Sequence, residues 1–214
     1  MILRECMPLP TPHFAALRYL DYWFHYDRAN FDDLQHDDPE IRRQALVRIA
    51  TQYGVHRNLP VEAENGYARL QLACDLLEDI CAAQFENHYE RVIAFTGQLH
   101  DVYGADVLSA ASKFLWHKTR SPIILYDGRG VGCLREMGYV IADGDYNVFV
   151  DQWRRVYRQF SRSIIAACRD LENVIQYSWN LDMITANVTA ELAEEEWFRE
   201  RVFDFMLWHS QGPF

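Results

Sequence analysis

Apolar side chains return every three or four residues along almost the whole chain, a period that admits little but helix. Leu70, Cys74, Leu77 and Cys81 stand at i, i+4, i+7 and i+11, which puts them on one face and reads as a buried stripe. A first helix is expected from Thr11-Pro12, a cap followed by a first-turn proline, with Phe14, Leu17, Leu20 and Phe24 along its inner side. A second opens at Asp38-Pro39-Glu40, carries Ile41, Ala45, Leu46 and Ile49, and ends near Gly54. The Leu70 stripe belongs to a third, from about Asn65 to Ala83; a fourth runs from about Glu86 to Val102 and stops at Gly104. A short helix follows over Asp106–His117, then one over about Gly130–Met137 that Asp127 is placed to cap. Tyr146–Tyr177 reads as one long amphipathic helix with Phe149, Trp153, Tyr157, Phe160 and Ile164 inward, after a turn at Asp143-Gly144-Asp145. Val188–His209 reads as the last, acidic at its start and aromatic at its end. The run Ile123-Ile124-Leu125-Tyr126 is the one strand candidate, and it is too short to build a sheet. The expectation is a single all-α domain over 1–214, with two lobes around a cleft, meeting near residues 104–130, as the division its punctuation allows.

Charge narrows the function classes. The net charge of −10 argues against a plain nucleic-acid binder, because phosphates reward a basic surface. The charge is unevenly spread, however. Residues 113–169 hold ten Lys/Arg against five Asp/Glu, a balance of +5, so the rest, with eleven against twenty-six, carries −15. Either this basic segment is a chance cluster on a solvated helix face or it meets an anion.

The five cysteines, at 6, 74, 81, 133 and 168, are odd in number and form no C-x-x-C pair, so reduced thiols in a cytoplasmic protein are expected. The scattered histidines suggest no metal site, and no cofactor is expected. No apolar run is long enough to cross a membrane. Arg4 and Glu5 interrupt the N-terminal stretch, so no secretory leader is expected.

Lysine is scarce: Lys113 and Lys118 stand against nineteen arginines. Lys113 lies in Ala110-Ala111-Ser112-Lys113-Phe114-Leu115-Trp116, small residues before it and bulky ones after. An amine held against apolar walls loses solvation and is exposed as a nucleophile suited to Schiff-base chemistry. The alternative is a packed stem whose head reaches water. Fourteen residues on, Asp127 begins Asp127-Gly128-Arg129-Gly130, where a carboxylate caps the next helix, faces a cleft, or does both.

The stretch Ser112-Lys113-Phe114-Leu115-Trp116, followed by Pro122-Ile123 through Tyr126-Asp127-Gly128-Arg129-Gly130, resembles the core of the bacterial 8-oxoguanine DNA glycosylase-fold proteins, divergent relatives of the helix-hairpin-helix glycosylases. The likeness is concentrated in residues 104–137. It implies a helix-hairpin-helix DNA glycosylase-like helical fold. It implies a DNA N-glycosylase that releases a damaged or modified purine, and it leaves open whether the protein also cleaves as an AP lyase. By the same resemblance Lys113 attacks the sugar C1′ and Asp127 steadies the developing positive charge, as the oxocarbenium-like transition state of glycosidic cleavage requires. Phe114, Trp116, His117, Tyr126 and Trp153 are candidates for a base pocket, since an excised base must be flipped between aromatic walls; aromatics at this spacing also serve as core. Arg120, Arg129, Arg154, Arg155 and Arg158 are the candidate phosphate contacts.

Members of the group are encoded beside CBASS antiphage genes, which implies a defence context. This chain departs from the wider superfamily in its hairpin: Val102-Tyr103-Gly104-Ala105-Asp106-Val107-Leu108-Ser109 keeps one glycine, the lysine-to-aspartate spacing is shorter, and no four-cysteine iron–sulfur loop is present. A small modified nucleotide is therefore as open a substrate as DNA. The rival reading is a non-catalytic binding or scaffold subunit of a defence complex, whose protein partner docks on the acidic, aromatic C-terminal helix. A regulatory DNA binder is a third.

Overall fold

In a computed structural model, residues 9–59, 69–180, 182 and 184–210 are described. All regular structure among them is helical. The helices are α1 (Pro12–Tyr22), α2 (Arg28–Leu34), α3 (Pro39–Gln52), α4 (Gln71–Ala82), α5 (His88–Tyr103) and α6 (Leu108–Thr119), then α7 (Gly128–Glu136), α8 (Tyr146–Arg169), α9 (Leu171–Val174), α10 (Ala186–Glu194) and α11 (Glu196–His209). A π-helical segment, Trp23–Asp27, joins α1 to α2, and a 3₁₀ turn, Val55–Asn58, follows α3. No helix is long and apolar enough to cross a membrane, and no group of three or more His, Cys, Asp or Glu side chains could hold a metal, among the described residues.

The chain forms two compact units. Tyr26–Tyr126 make the middle unit, and residues before 26 join those after 126 in the terminal unit. In the middle unit α3 packs on α2, α4 and α6, and α5 packs on α4 and α6. In the terminal unit α11 packs on α1, α7, α8 and α10, and α8 also packs on α1 and α10.

Helix starts follow the capping chemistry. Thr11 accepts from the Phe14 amide, Asp38 from Glu40, Asn87 from Glu90 and Asp127 from Arg129, each closing one orphan donor of a first turn. Gly54 and Gly104 end α3 and α5 in the left-handed region, where a Cβ is costly. The stripe Leu70, Cys74, Leu77 is buried as its spacing predicts, with Cys81 only partly covered.

Several expectations are corrected. Of the expected inner stripe Leu20 and Phe24 are buried, but Phe14 is half exposed, and Ala15, Ala16 and Tyr19 share the inner face of α1 with Leu20. The long helix ends at Arg169, because Asp170 turns the backbone and α9 is a separate short piece. The last helix is two: Glu195 is extended and serves as the cap of α11. Ile123–Tyr126 forms no strand; Ile123, Ile124 and Leu125 are buried in backbone without regular structure. The expected start of the third helix near Asn65, the N-terminal stretch with Arg4 and Glu5, and Cys6 lie outside the described residues.

Most of the aromatic side chains of the C-terminal helix face inward. Trp197, Phe198, Phe203 and Phe205 of α11 are buried. Phe203 meets the rings of Trp153, Tyr157 and Phe160, and Trp197 packs on Trp23. A helix in contact with four others spends its apolar side on the core.

Candidate functional site

Helix α6 is apolar nearly all round and is correspondingly buried from Leu108 to His117 except at Ser109. Lys113 lies at its middle with 1% of its surface exposed. The head does not reach water, so the snorkelling alternative fails. Its Nζ donates to Ser109 Oγ at 2.7 Å, one turn back, and to the Tyr126 carbonyl at 3.1 Å. The ring of Tyr53 lies beside it, with Nζ 5.7 Å from the ring centroid.

The preceding residue completes a pair of bonds. Ser112 Oγ accepts from the Tyr126 amide at 2.9 Å. Ser112 and Lys113 thus hold both backbone polar groups of one residue in the segment that follows α6, groups that no sheet partner satisfies. The Ser-Lys pair therefore fixes the backbone of Tyr126.

A buried polar chain runs behind Lys113. His117 Nδ1 lies 2.8 Å from the Lys113 carbonyl, and its Nε2 lies 3.2 Å from Asp27 Oδ1. Both side chains are fully buried. Tyr53 Oη lies 3.0 Å from each carboxylate oxygen of Asp27, and its ring meets His117 edge-on at 5.4 Å. Asp27 ends the π-helical segment, and its side chain makes no cap bond to α2. Asp27 and Tyr53 were invisible to sequence reading, since nothing local marks either. Lys118, the other lysine, is a tether on the surface: its Nζ donates to the Leu34 carbonyl at 2.7 Å and to Glu78 at 2.9 Å.

Asp127 begins the terminal unit. Its Oδ1 accepts from the Arg129 amide at 2.9 Å, so the capping role is realised. Its charge also helps to raise the Asp204 carboxyl above the ordinary range; burial is the main cause there, and Arg201 and the Trp153 indole oppose it. Trp153 Nε1 donates to Asp204 at 2.7 Å, and Arg201 pairs with the same carboxylate at 2.8 Å.

The other candidates divide between the two units. Phe114, Trp116 and His117 are in the middle unit and buried, with Tyr126 half-buried there. Trp153 is buried in the terminal unit. Arg120 ends α6 with a positive φ of 58° and stacks 3.5 Å over the Phe31 ring. Arg129, Arg154, Arg155 and Arg158 lie in the terminal unit. Arg155 and Arg158 are exposed on α8, Arg154 is half-buried there, and Arg129 sits 4.9 Å over Trp208. Compared with known proteins, the chain matches no family model, no curated protein and no solved structure.

Proposed function

We propose that this chain is a DNA N-glycosylase with a helix-hairpin-helix glycosylase-like fold, acting on a damaged or modified purine, with Lys113 as nucleophile and Asp127 as its electrostatic partner. The observation that carries the reading is the state of Lys113. In a chain that uses arginine for surface charge, one lysine is withdrawn from water and oriented by the Ser109 hydroxyl and the Tyr126 carbonyl. An oriented, desolvated amine is what covalent catalysis at a sugar carbon needs.

In the proposed step the neutral amine attacks C1′. The N-glycosidic bond breaks, and the base leaves with the bonding pair and takes a proton from solvent. The nitrogen gives up its two protons, one to O4′ as the sugar ring opens and one to solvent, and an imine joins Lys113 to C1′. The Asp127 carboxylate offsets the positive charge on the sugar as the base departs. The exposed arginines of α8 supply the phosphate contacts, and the reading carries with it the cytoplasmic antiphage setting that the resemblance implies.

The test is borohydride trapping on oligonucleotides carrying an abasic site, 8-oxoguanine or a deazaguanine. On abasic DNA the amine condenses with the C1′ aldehyde, water leaves, and borohydride delivers hydride to the imine. A covalent band with the wild type that is lost in Lys113→Gln is expected. Neither band nor base release from any oligonucleotide would overturn the reading. Lys113 would then be a structural tie on Tyr126, and the scaffold alternative would take its place.

A further inference from the structure

We propose that Tyr53, His117 and Asp27 form a positioning clamp for the Lys113 amine, an inference that rests on Lys113 being the nucleophile of the reaction above. The bonding follows from which atoms can donate. A backbone carbonyl only accepts, so His117 Nδ1, 2.8 Å from the Lys113 carbonyl, carries a hydrogen. The other ring nitrogen, Nε2, faces Asp27 Oδ1 across 3.2 Å.

Tyr53 completes the device. Its hydroxyl donates to the Asp27 carboxylate, with 3.0 Å to each oxygen, and this anchors the far end of the ring. The edge of the ring contact with His117, at 5.4 Å and 78°, sets its tilt. The face so fixed lies beside the Lys113 amine, 5.7 Å from Nζ to centroid. The three residues come from the π-helical segment, the end of α3 and α6. His117 holds Lys113 from its backbone side, and Tyr53 holds it from its head. Ser109 and the Tyr126 carbonyl then set the direction of the N–H bonds. None of the three touches substrate in this scheme. They act through Lys113, and a displacement of about 1 Å at a reacting atom can cost on the order of a hundredfold in rate.

The chain holds two lysines, so labelling it with 13C-lysine gives two sets of Cε–Hε signals, assigned by Lys113→Gln. An immobilised lysine shows two distinct Hε protons, and ring contact shifts them. The clamp predicts that Lys113 shows this splitting, with cross-relaxation to the Tyr53 ring, in the wild type. Tyr53→Phe keeps the ring but removes its anchor; the splitting should collapse while the Lys118 signals stay put. Trapping on abasic DNA should slow at least roughly tenfold, with DNA affinity unchanged. Asp27→Asn can still meet both neighbours and should keep the splitting. Averaged Hε protons on Lys113 in the wild type, a reading that needs no variant to fold, would overturn the clamp. So would a folded Tyr53→Phe protein with unchanged splitting and trapping rate. A wild type that shows the lock yet makes no adduct would retain the clamp and remove the nucleophile.

Discussion

His117 and Asp27 stand 90 residues apart in the chain and 3.2 Å apart in the fold, both sealed from solvent. Taking two such groups out of water is costly, and each repays it only while the other is present. Asp27→Ala removes the carboxylate that His117 Nε2 and the Tyr53 hydroxyl both meet. It should cost about 3–5 kcal/mol in urea unfolding, the range for breaking a buried pair. Asp27→Asn should cost far less, about 1 kcal/mol, because a neutral imidazole accepts from the amide N–H and the tyrosine hydroxyl donates to the amide oxygen. Equal losses in the two variants would mean that charge, and not bonding geometry, is what the cluster supplies.

Phe203 distinguishes a core helix from a partner surface. Its ring packs against Trp153, Tyr157 and Phe160 and is fully buried. Phe203→Ala removes those contacts and opens a cavity, which should lower unfolding free energy by about 3–5 kcal/mol. A loss within about 0.5 kcal/mol, the usual range for an exposed site, would restore α11 as a docking face.

The helices were legible because their signals are local. Thr11-Pro12, Asp38-Pro39 and Asp127-Gly128 each carry a cap whose acceptor and donor lie within three residues. The break at Glu195 was hidden because the apolar pattern runs on through it and a glutamate is a good helix former. At the site, the isolation of Lys113 among arginines was visible, and so was the helix start at Asp127. The bonds from Lys113 and Ser112 to Tyr126 span a chain reversal, and those from His117 to Asp27 and from Tyr53 to Asp27 span whole helices. Periodicity carries no information at that range, so nothing in the sequence singles out Asp27 or Tyr53.

Two glycines in and after α5 should respond in opposite directions. Gly104 ends the helix at φ +64°, and a Cβ there would meet nothing within 4 Å. Gly104→Ala should therefore cost about 1 kcal/mol from the left-handed backbone alone. Gly97 sits in the exposed helix interior, also with nothing within 4 Å of an added Cβ, and Gly97→Ala should stabilise by about 0.5–1 kcal/mol. Thermal unfolding of both variants checks the pair. A stabilised Gly104→Ala would mean that α5 does not end where its left-handed glycine places it.

Alkali should unfold the protein through groups that keep their protons in the fold. Burial pushes the Cys168 thiol from 9.0 up to about 12. Burial, with the charge of Glu196 beside it, pushes the Tyr157 hydroxyl up from 10.0. Between about pH 9 and 12 the unfolded chain releases the Cys168 proton while the folded chain retains it. The unfolded state then binds fewer protons, and stability falls as pH rises. The slope for one proton is about 1.4 kcal/mol per pH unit. Tyr157 adds to it above about pH 10, where an unfolded tyrosine ionises. Cys168→Ala removes this thiol's share of the fall between pH 9 and 10, leaving the shares of Cys74 and Cys81, whose thiols burial also raises, and the tyrosine limb in place. Urea midpoints measured from pH 7 to 11 give the comparison. A wild type and a Cys168→Ala variant with the same slope below pH 10 would show that this thiol titrates alike in both states.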